Sequence, residues 1–174
     1  YTGRGMTSLQ PVFINEILAE LENRLRGSIR PAIRLEFMPA EATAAIEADP
    51  DQVRMLITHL VNNAAESILD GPGAVRITTG RQRCDRAYLK TTYLDEGLPD
   101  GEYVYIEVTD TGIGIPSEVQ KRMFDPFYTT KIRSKGMGLS IVLGIVRGHH
   151  GALRFDTNPG GGTRIRALFP RFAG

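Results

Sequence analysis

Apolar residues recur along this chain with two different periods, and the changes of period divide it into elements. Ile17, Leu18, Leu21 and Leu25 fall at helical spacing, with Asn15 as a capping side chain before them and Gly27 and Pro31 behind. Ile33, Leu35 and Phe37 alternate with Arg34 and Glu36, which predicts a half-buried strand, and a second short strand is expected over 44–47. Asp49-Pro50 then gives a capping side chain followed by proline at the first helical position. Behind it Val53, Leu56, Ile57, Leu60, Val61, Ala64, Ala65 and Ile68 keep a helical rhythm until Gly71-Pro72-Gly73 stops it.

Val75, Ile77 and Thr79 begin another strand. Residues 81–101 are polar, charged and without period, and read as an insertion before strand character resumes over 103–109. Helices are expected over 117–123, capped by Ser117 after Pro116, and over 137–149. Two final strands, 153–156 and 164–169, flank the turn Asn158-Pro159-Gly160-Gly161-Gly162. Residues 1–12 show no period and read as a linker or the tail of a preceding element, leaving 13–174 as one domain. There is no internal repeat. Helices and strands mix without the regular alternation of a doubly wound sheet. The expected class is therefore α/β: two layers, a mixed sheet with helices packed on one face.

Composition narrows the function classes. The length of 174 residues suits one domain with a real core. Lys and Arg number 21 against 20 Asp and Glu, and no basic run alternates with aromatics, so a nucleic-acid surface is not indicated. No apolar stretch is long enough to span a bilayer, and the N-terminus lacks a signal-peptide layout. Cys84, the single cysteine, lies among Arg83, Asp85 and Arg86 and reads as a surface thiol. The chain begins at Tyr1, and the expectation is that it belongs to something longer.

Four clusters carry the candidate chemistry. On the long helix, His59-Leu60-Val61-Asn62-Asn63-Ala64-Ala65-Glu66 places His59, Asn63 and Glu66 away from the apolar stripe. An asparagine oxygen there can ligate Mg²⁺ without adding negative charge beside a triphosphate, although an exposed helix asparagine is also an ordinary solvated residue. Asp110-Thr111-Gly112-Ile113-Gly114-Ile115 follows a strand directly. A carboxylate there can accept from an adenine amino group while the glycines admit a flat base, and the same pattern is a common turn. Phe124-Asp125-Pro126-Phe127-Tyr128-Thr129-Thr130-Lys131 combines aromatic loop anchors with hydroxyls and a cation suited to phosphate oxygens. Ser134-Lys135-Gly136-Met137-Gly138-Leu139-Ser140 opens a helix, whose N-terminal amides favour anions. Neither a Walker A loop nor a Rossmann fingerprint is present.

In this order the clusters resemble the N, G1, F and G2 boxes of the histidine-kinase catalytic domain, in the GHKL group of ATP-binding proteins. The likeness extends over 11–170 and is nearest to PAS-linked and hybrid sensor kinases, through Ala48-Asp49-Pro50, the 83–89 segment and 143–149. It implies a Bergerat fold, with ATP and Mg²⁺ held between the long helix and a lid over 116–135. It also implies roles. Asn63 holds Mg²⁺ and, with Lys131, serves catalysis; Asp110 reads adenine, with Gly112, Gly114 and Ile115 around the base. Glu66, Phe127, Thr129, Thr130, Lys131, Gly136, Met137, Gly138 and Leu139 complete the nucleotide site, with Thr163 a polar contact beneath adenine. By the same resemblance residues 1–12 are a linker or the end of a preceding dimerisation helix. The implied partners are a helical dimerisation domain carrying the acceptor histidine and a response-regulator receiver. The full-length protein is implied to be a homodimer, and this domain cytoplasmic, with no membrane contact of its own.

Two positions depart from the pattern: His59 replaces the first N-box asparagine, and Ser134 the first G2 glycine. They keep a degenerate nucleotide sensor open as an alternative. A GHKL ATPase is less supported, since those families resemble one another in a glutamate where His59 stands. No acceptor histidine is apparent: Leu60 follows His59 where an acidic residue is expected, and His149 and His150 read as C-terminal helix caps.

Overall fold

The computed structural model describes residues 8–94, 97–115, 117–121, 135–158 and 160–173, with backbone alone for Val119 and 135–138. Strands β1 (Gln10–Val12) and β3 (Ile46–Ala48) pair antiparallel as a small separate ribbon. The main sheet contains β2 (Ile33–Met38), β4 (Gly73–Cys84), β5 (Gly101–Asp110), β6 (Ala152–Asn158) and β7 (Gly162–Pro170), in the order β2-β4-β5-β7-β6. Only the β2–β4 pair is parallel, so the sheet is mixed. Helices α1 (Ile14–Ser28), α2 (Pro50–Glu66) and α5 (Lys135–Gly148) share one core with one face of that sheet; α3 (Arg86–Leu89) and α4 (Ser117–Gln120) are single turns.

The α2 stripe behaves as its spacing predicts. Val53, Leu56, Ile57, Leu60, Val61 and Ala64 are buried, and the Asp49 carboxylate accepts the Asp51 N–H at 2.9 Å as an N-cap. The helix stops at Glu66, before the expected glycines, and Arg30 donates to the carbonyls of Ile68 and Gly71 just beyond it. On α5, Leu139, Val142, Ile145 and Val146 face the same core.

Several expectations are corrected. Residues 10–12, read as linker, form β1, because a three-residue pairing is too short to show a period. The cap of α1 is Phe13, not Asn15. The Asn15 amide donates to the Ala40 carbonyl and accepts from the Thr79 hydroxyl, tying the helix to the loop after β2. The short strand lies at Ile46–Ala48 and α5 starts two residues earlier than expected. The 117–123 helix is described only as Ser117–Gln120, with 122 and 123 outside the described residues.

The largest correction concerns the insertion. Strand β4 continues to Cys84, so the segment between strands begins at Asp85 rather than at 81. Alternation along β5 sends Val104, Ile106 and Val108 into the helical core and Tyr103 to the opposite face. There Leu89 and Leu98 of the insertion cover Tyr103, Leu168, Ala152 and Cys84. Cys84 is therefore 1% exposed rather than a surface thiol, and burial pushes its thiol up to about 11. The segment then crosses to the outer strand, where the Tyr93 N–H meets the Leu153 carbonyl at 2.9 Å and Leu94 enters the main core. It thus covers part of the sheet's second face and occupies the edge of β6.

Candidate functional site

A cleft opens between the C-terminal half of α2, the ends of β5 and β7, and the start of α5. Its lining is Leu60, Asn63, Ala64 and Ser67 from α2 and its end, Val108 and Asp110 from β5, Ile115, Leu139, and Thr163 and Ile165 from β7. The walls are apolar, and the polar groups come from a few positions, as in small-molecule sites generally. Its volume is about 30 Å³, far below the ~300–1,000 Å³ of such sites.

Asp110, 7% exposed, ends β5 opposite Val75 on one side and Thr163 on the other. Its Oδ1 accepts the Gly112 N–H at 2.8 Å, which orients the carboxylate. Gly112 itself lies against the end of α2: a Cβ there would stand 2.6 Å from the Ser67 carbonyl oxygen and closer still to its hydroxyl. The Ser67 carbonyl also accepts the Ile113 N–H at 3.2 Å. The loop after β5 is thereby fixed to the helix that carries Asn63. Gly114 has φ +72°, a left-handed backbone that glycine adopts without strain.

The floor is closed from the β6–β7 hairpin. Thr157 Oγ1 accepts the Ile115 N–H at 3.0 Å and lies 2.8 Å from the Thr163 hydroxyl, and the Gly160 N–H reaches the Ile113 carbonyl. Asn63 lines the cleft, and its amide nitrogen is buried with no hydrogen-bond partner among the described residues. Leaving such a group unpaired costs about 1–3 kcal/mol. A carboxamide presents an oxygen as well as a nitrogen, and its oxygen is a hard donor of the kind Mg²⁺ takes.

The structure brings together Asn63, Asp110, Gly112, Ile115, Leu139 and Thr163 at this cleft or against it. Glu66 is exposed at the last position of α2 and does not line it. His59 is half-buried one turn before Asn63; burial holds its imidazole below the ordinary value, with Glu66 partly offsetting this. Gly136, Met137 and Gly138 lie in the first turn of α5. Phe127, Thr129, Thr130 and Lys131 lie outside the described residues. Sequence reasoning missed Ser67 and Thr157. Ser67 stands one helical turn beyond Asn63, a spacing that points to it; Thr157 becomes visible only through its pairing with Thr163 across the hairpin.

A mixed sheet with helices on one face thus carries an apolar cleft that holds one carboxylate at a strand end and one helix carboxamide whose nitrogen lacks a described partner. Residues 48–173 match the family model described as histidine kinase-, DNA gyrase B-, and HSP90-like ATPase, and the chain belongs to that family. Within it the similarity is to histidine kinases. The chain is 33% identical over 91% of its length to the sensor kinase CckA of Brucella abortus (strain 2308). It is 30% identical over 92% to the sensory histidine kinase/phosphatase NtrB of Rhizobium leguminosarum bv. phaseoli. It spans 16% of the first relative and 41% of the second. The fold is that of solved histidine-kinase catalytic domains. It superposes on the mycobacterial sensor histidine kinase MprB with a TM-score of 0.69 at 23% identity, covering 94% of this chain and 98% of the other. Full-length ShkA, crystallised with AMPPNP, gives a TM-score of 0.71 at 23% identity, covering 96% of this chain and 32% of that one. Among the described residues no helix is long and apolar enough to cross a membrane.

Proposed function

We propose that this chain is the ATP-binding catalytic domain of a sensor histidine kinase, presenting the γ-phosphoryl group of Mg·ATP to a histidine on a separate helical dimerisation domain. The phosphoryl group then passes to a response-regulator receiver. One observation carries the reading: a carboxylate held in orientation at an apolar cleft, with a helix carboxamide beside it whose buried nitrogen has no partner among the described residues.

Asp110 accepts from the exocyclic amino group of adenine, while Leu60, Val108, Ile115 and Ile165 exclude water from the base. Asn63 offers its carboxamide oxygen to the metal. Mg²⁺, when bound, neutralises the phosphates and supports transfer. Among the described residues no cluster of three His, Cys, Asp or Glu could hold a metal. An ion that arrives with the nucleotide takes most of its ligands from phosphate and water. The amides at the start of α5, around Gly136 and Gly138, face anions favourably. Lys131, Thr129 and Thr130 belong to the same proposal as phosphate ligands.

Catalysis on this reading is positioning and charge neutralisation, and the acceptor histidine comes from elsewhere. His149 has both ring nitrogens engaged inside the fold. The ATPase alternative puts a water-activating base at the His59 position, where the hydrolysing families resemble one another in a glutamate.

Titration calorimetry of this chain with ATP and GTP, with and without Mg²⁺, tests the reading. The expected result is magnesium-dependent ATP binding, weakened at least about tenfold in Asp110→Asn, one hydrogen bond to a charged group being worth ~1.5–3 kcal/mol. Equal affinity for ATP and GTP removes Asp110 as the adenine reader. No binding by a folded wild type leaves the degenerate sensor in its place.

A further inference from the structure

Asn63 and the anion-favouring turn of α5 sit on different helices yet must face the same phosphates. The two helices pack side by side in opposite directions. Leu139, near the start of α5, lines the same cleft as Leu60 and Ala64 near the end of α2, while residue 149, just past α5, meets residue 49, just before α2. What fixes one helix against the other therefore sets the distance between metal ligand and phosphate turn.

At the far end one of the polar links between them is a buried histidine. His149 is 6% exposed. Its Nδ1 lies 2.8 Å from the Ile145 carbonyl of its own helix, and its Nε2 accepts the backbone N–H of Asp49 at 3.2 Å. A carbonyl only accepts and an amide N–H only donates, so the proton is on Nδ1 and the lone pair on Nε2. The ring stands edge-on to Phe169 of β7, with centroids 6.1 Å apart and planes at 87°. Asp49 is the N-cap of α2, so the bond grips that helix at its first turn. This is a different role from the helix-dipole cap expected of His149 from sequence: one nitrogen serves its own helix, the other reaches across to the neighbour.

We infer that His149 is a positioning residue for the nucleotide site, a pin that sets the register of α5 against α2 from the end opposite the cleft. The inference rests on reading that cleft as the Mg·ATP site. Asp49 and Asn63 are fourteen positions apart on α2, roughly 20 Å at the helical rise. The pin acts beside the apolar packing that α2 and α5 share and opposes a slide of one helix along the other; a slide of ~1 Å at phosphate-binding groups costs about 10²-fold in reactivity.

The test separates the two nitrogens. His149→Gln places a carbonyl oxygen near the Nε2 position and keeps an acceptor for Asp49; His149→Asn keeps only a donor near Nδ1 for Ile145. Both are measured for Mg·ATP affinity by calorimetry, and for hydrogen exchange at the Asp49 amide. The expected result is affinity within about threefold of wild type for Gln and about tenfold weaker for Asn, with Asp49 exchanging faster only in Asn. Equal losses in the two variants, or unchanged affinity in Asn with only a lower melting temperature, reduce His149 to a packing residue. Should either variant fail to fold, nitrogen NMR of the wild-type imidazole decides: the Nδ1–H tautomer is expected, and the Nε2–H tautomer overturns the pin. Wild-type protein that binds no Mg·ATP while showing the Nδ1–H tautomer and a protected Asp49 amide fails the nucleotide reading, not the pin.

Discussion

The two ends of the α2/α5 pair meet their polar groups differently. At the base, the Asp49 side chain caps α2, its N–H is taken by His149, and the other His149 nitrogen is taken by Ile145. At the mouth, the Asn63 amide nitrogen is buried with no partner among the described residues, and Leu60, Ala64 and Leu139 border a space of about 30 Å³. The base is assembled for stability. The mouth carries a polar group that no described residue satisfies, which is how binding machinery commonly differs from scaffold.

The largest way to break this contrast is at the junction between the β5 loop and α2. In Gly112→Ala the new methyl falls inside contact distance of the Ser67 carbonyl and hydroxyl, which are held in place by the helix end. Overpacking against backbone costs about 1–3 kcal/mol, and the loop must lift away from α2, moving Asp110 with it. A melting temperature lowered by several degrees together with ATP affinity reduced more than about tenfold is expected. Wild-type affinity in this variant means that Gly112 is a packing glycine with no bearing on the adenine pocket.

The mouth can also be changed in the opposite sense. Asn63→Leu replaces an unpaired amide by an apolar group of similar size in an apolar cleft. Removing the buried unpaired donor should raise stability by about 1 kcal/mol, while the magnesium-dependent part of ATP binding disappears. Thermal unfolding without nucleotide and calorimetry with it measure the two halves separately. A variant less stable than wild type denies that the position is held at a cost.

What could be read from the sequence follows the range of each interaction. The α2 start at Asp49-Pro50, its apolar stripe and Asp110 at a strand end are local patterns, and they stand where the pattern puts them. The family boxes supplied roles that periodicity alone left open. The misread features depend on distant partners. Thr157 serves Ile115 from 42 positions away, and His149 reaches Asp49 across 100. The second half of β4 looked polar and aperiodic because Gln82 and Cys84 face the side that only the insertion covers. Burial on that face is created by Leu89 and Leu98, so nothing within 80–84 signals a strand.

A smaller effect sharpens the comparison at the base. His150 has φ +56°, the described non-glycine residue with a left-handed backbone, at the point where the chain leaves α5. The Gly151 N–H returns to the Val146 carbonyl at 2.9 Å and the His150 N–H to Arg147 at 3.1 Å, the paired bonds that end many helices with glycine in this position. A side chain in the left-handed region costs ~1–2 kcal/mol, part of which glycine gives back through its freer unfolded chain. His150→Gly should therefore gain about 0.5–1 kcal/mol and raise the melting temperature by a few degrees. Because His150 is exposed and the pin is its neighbour His149, ATP affinity should not change. If His150→Gly lowers stability instead, the exposed imidazole contributes contacts that outweigh its backbone strain; if it lowers ATP affinity, the turn after α5 helps hold the pin in register.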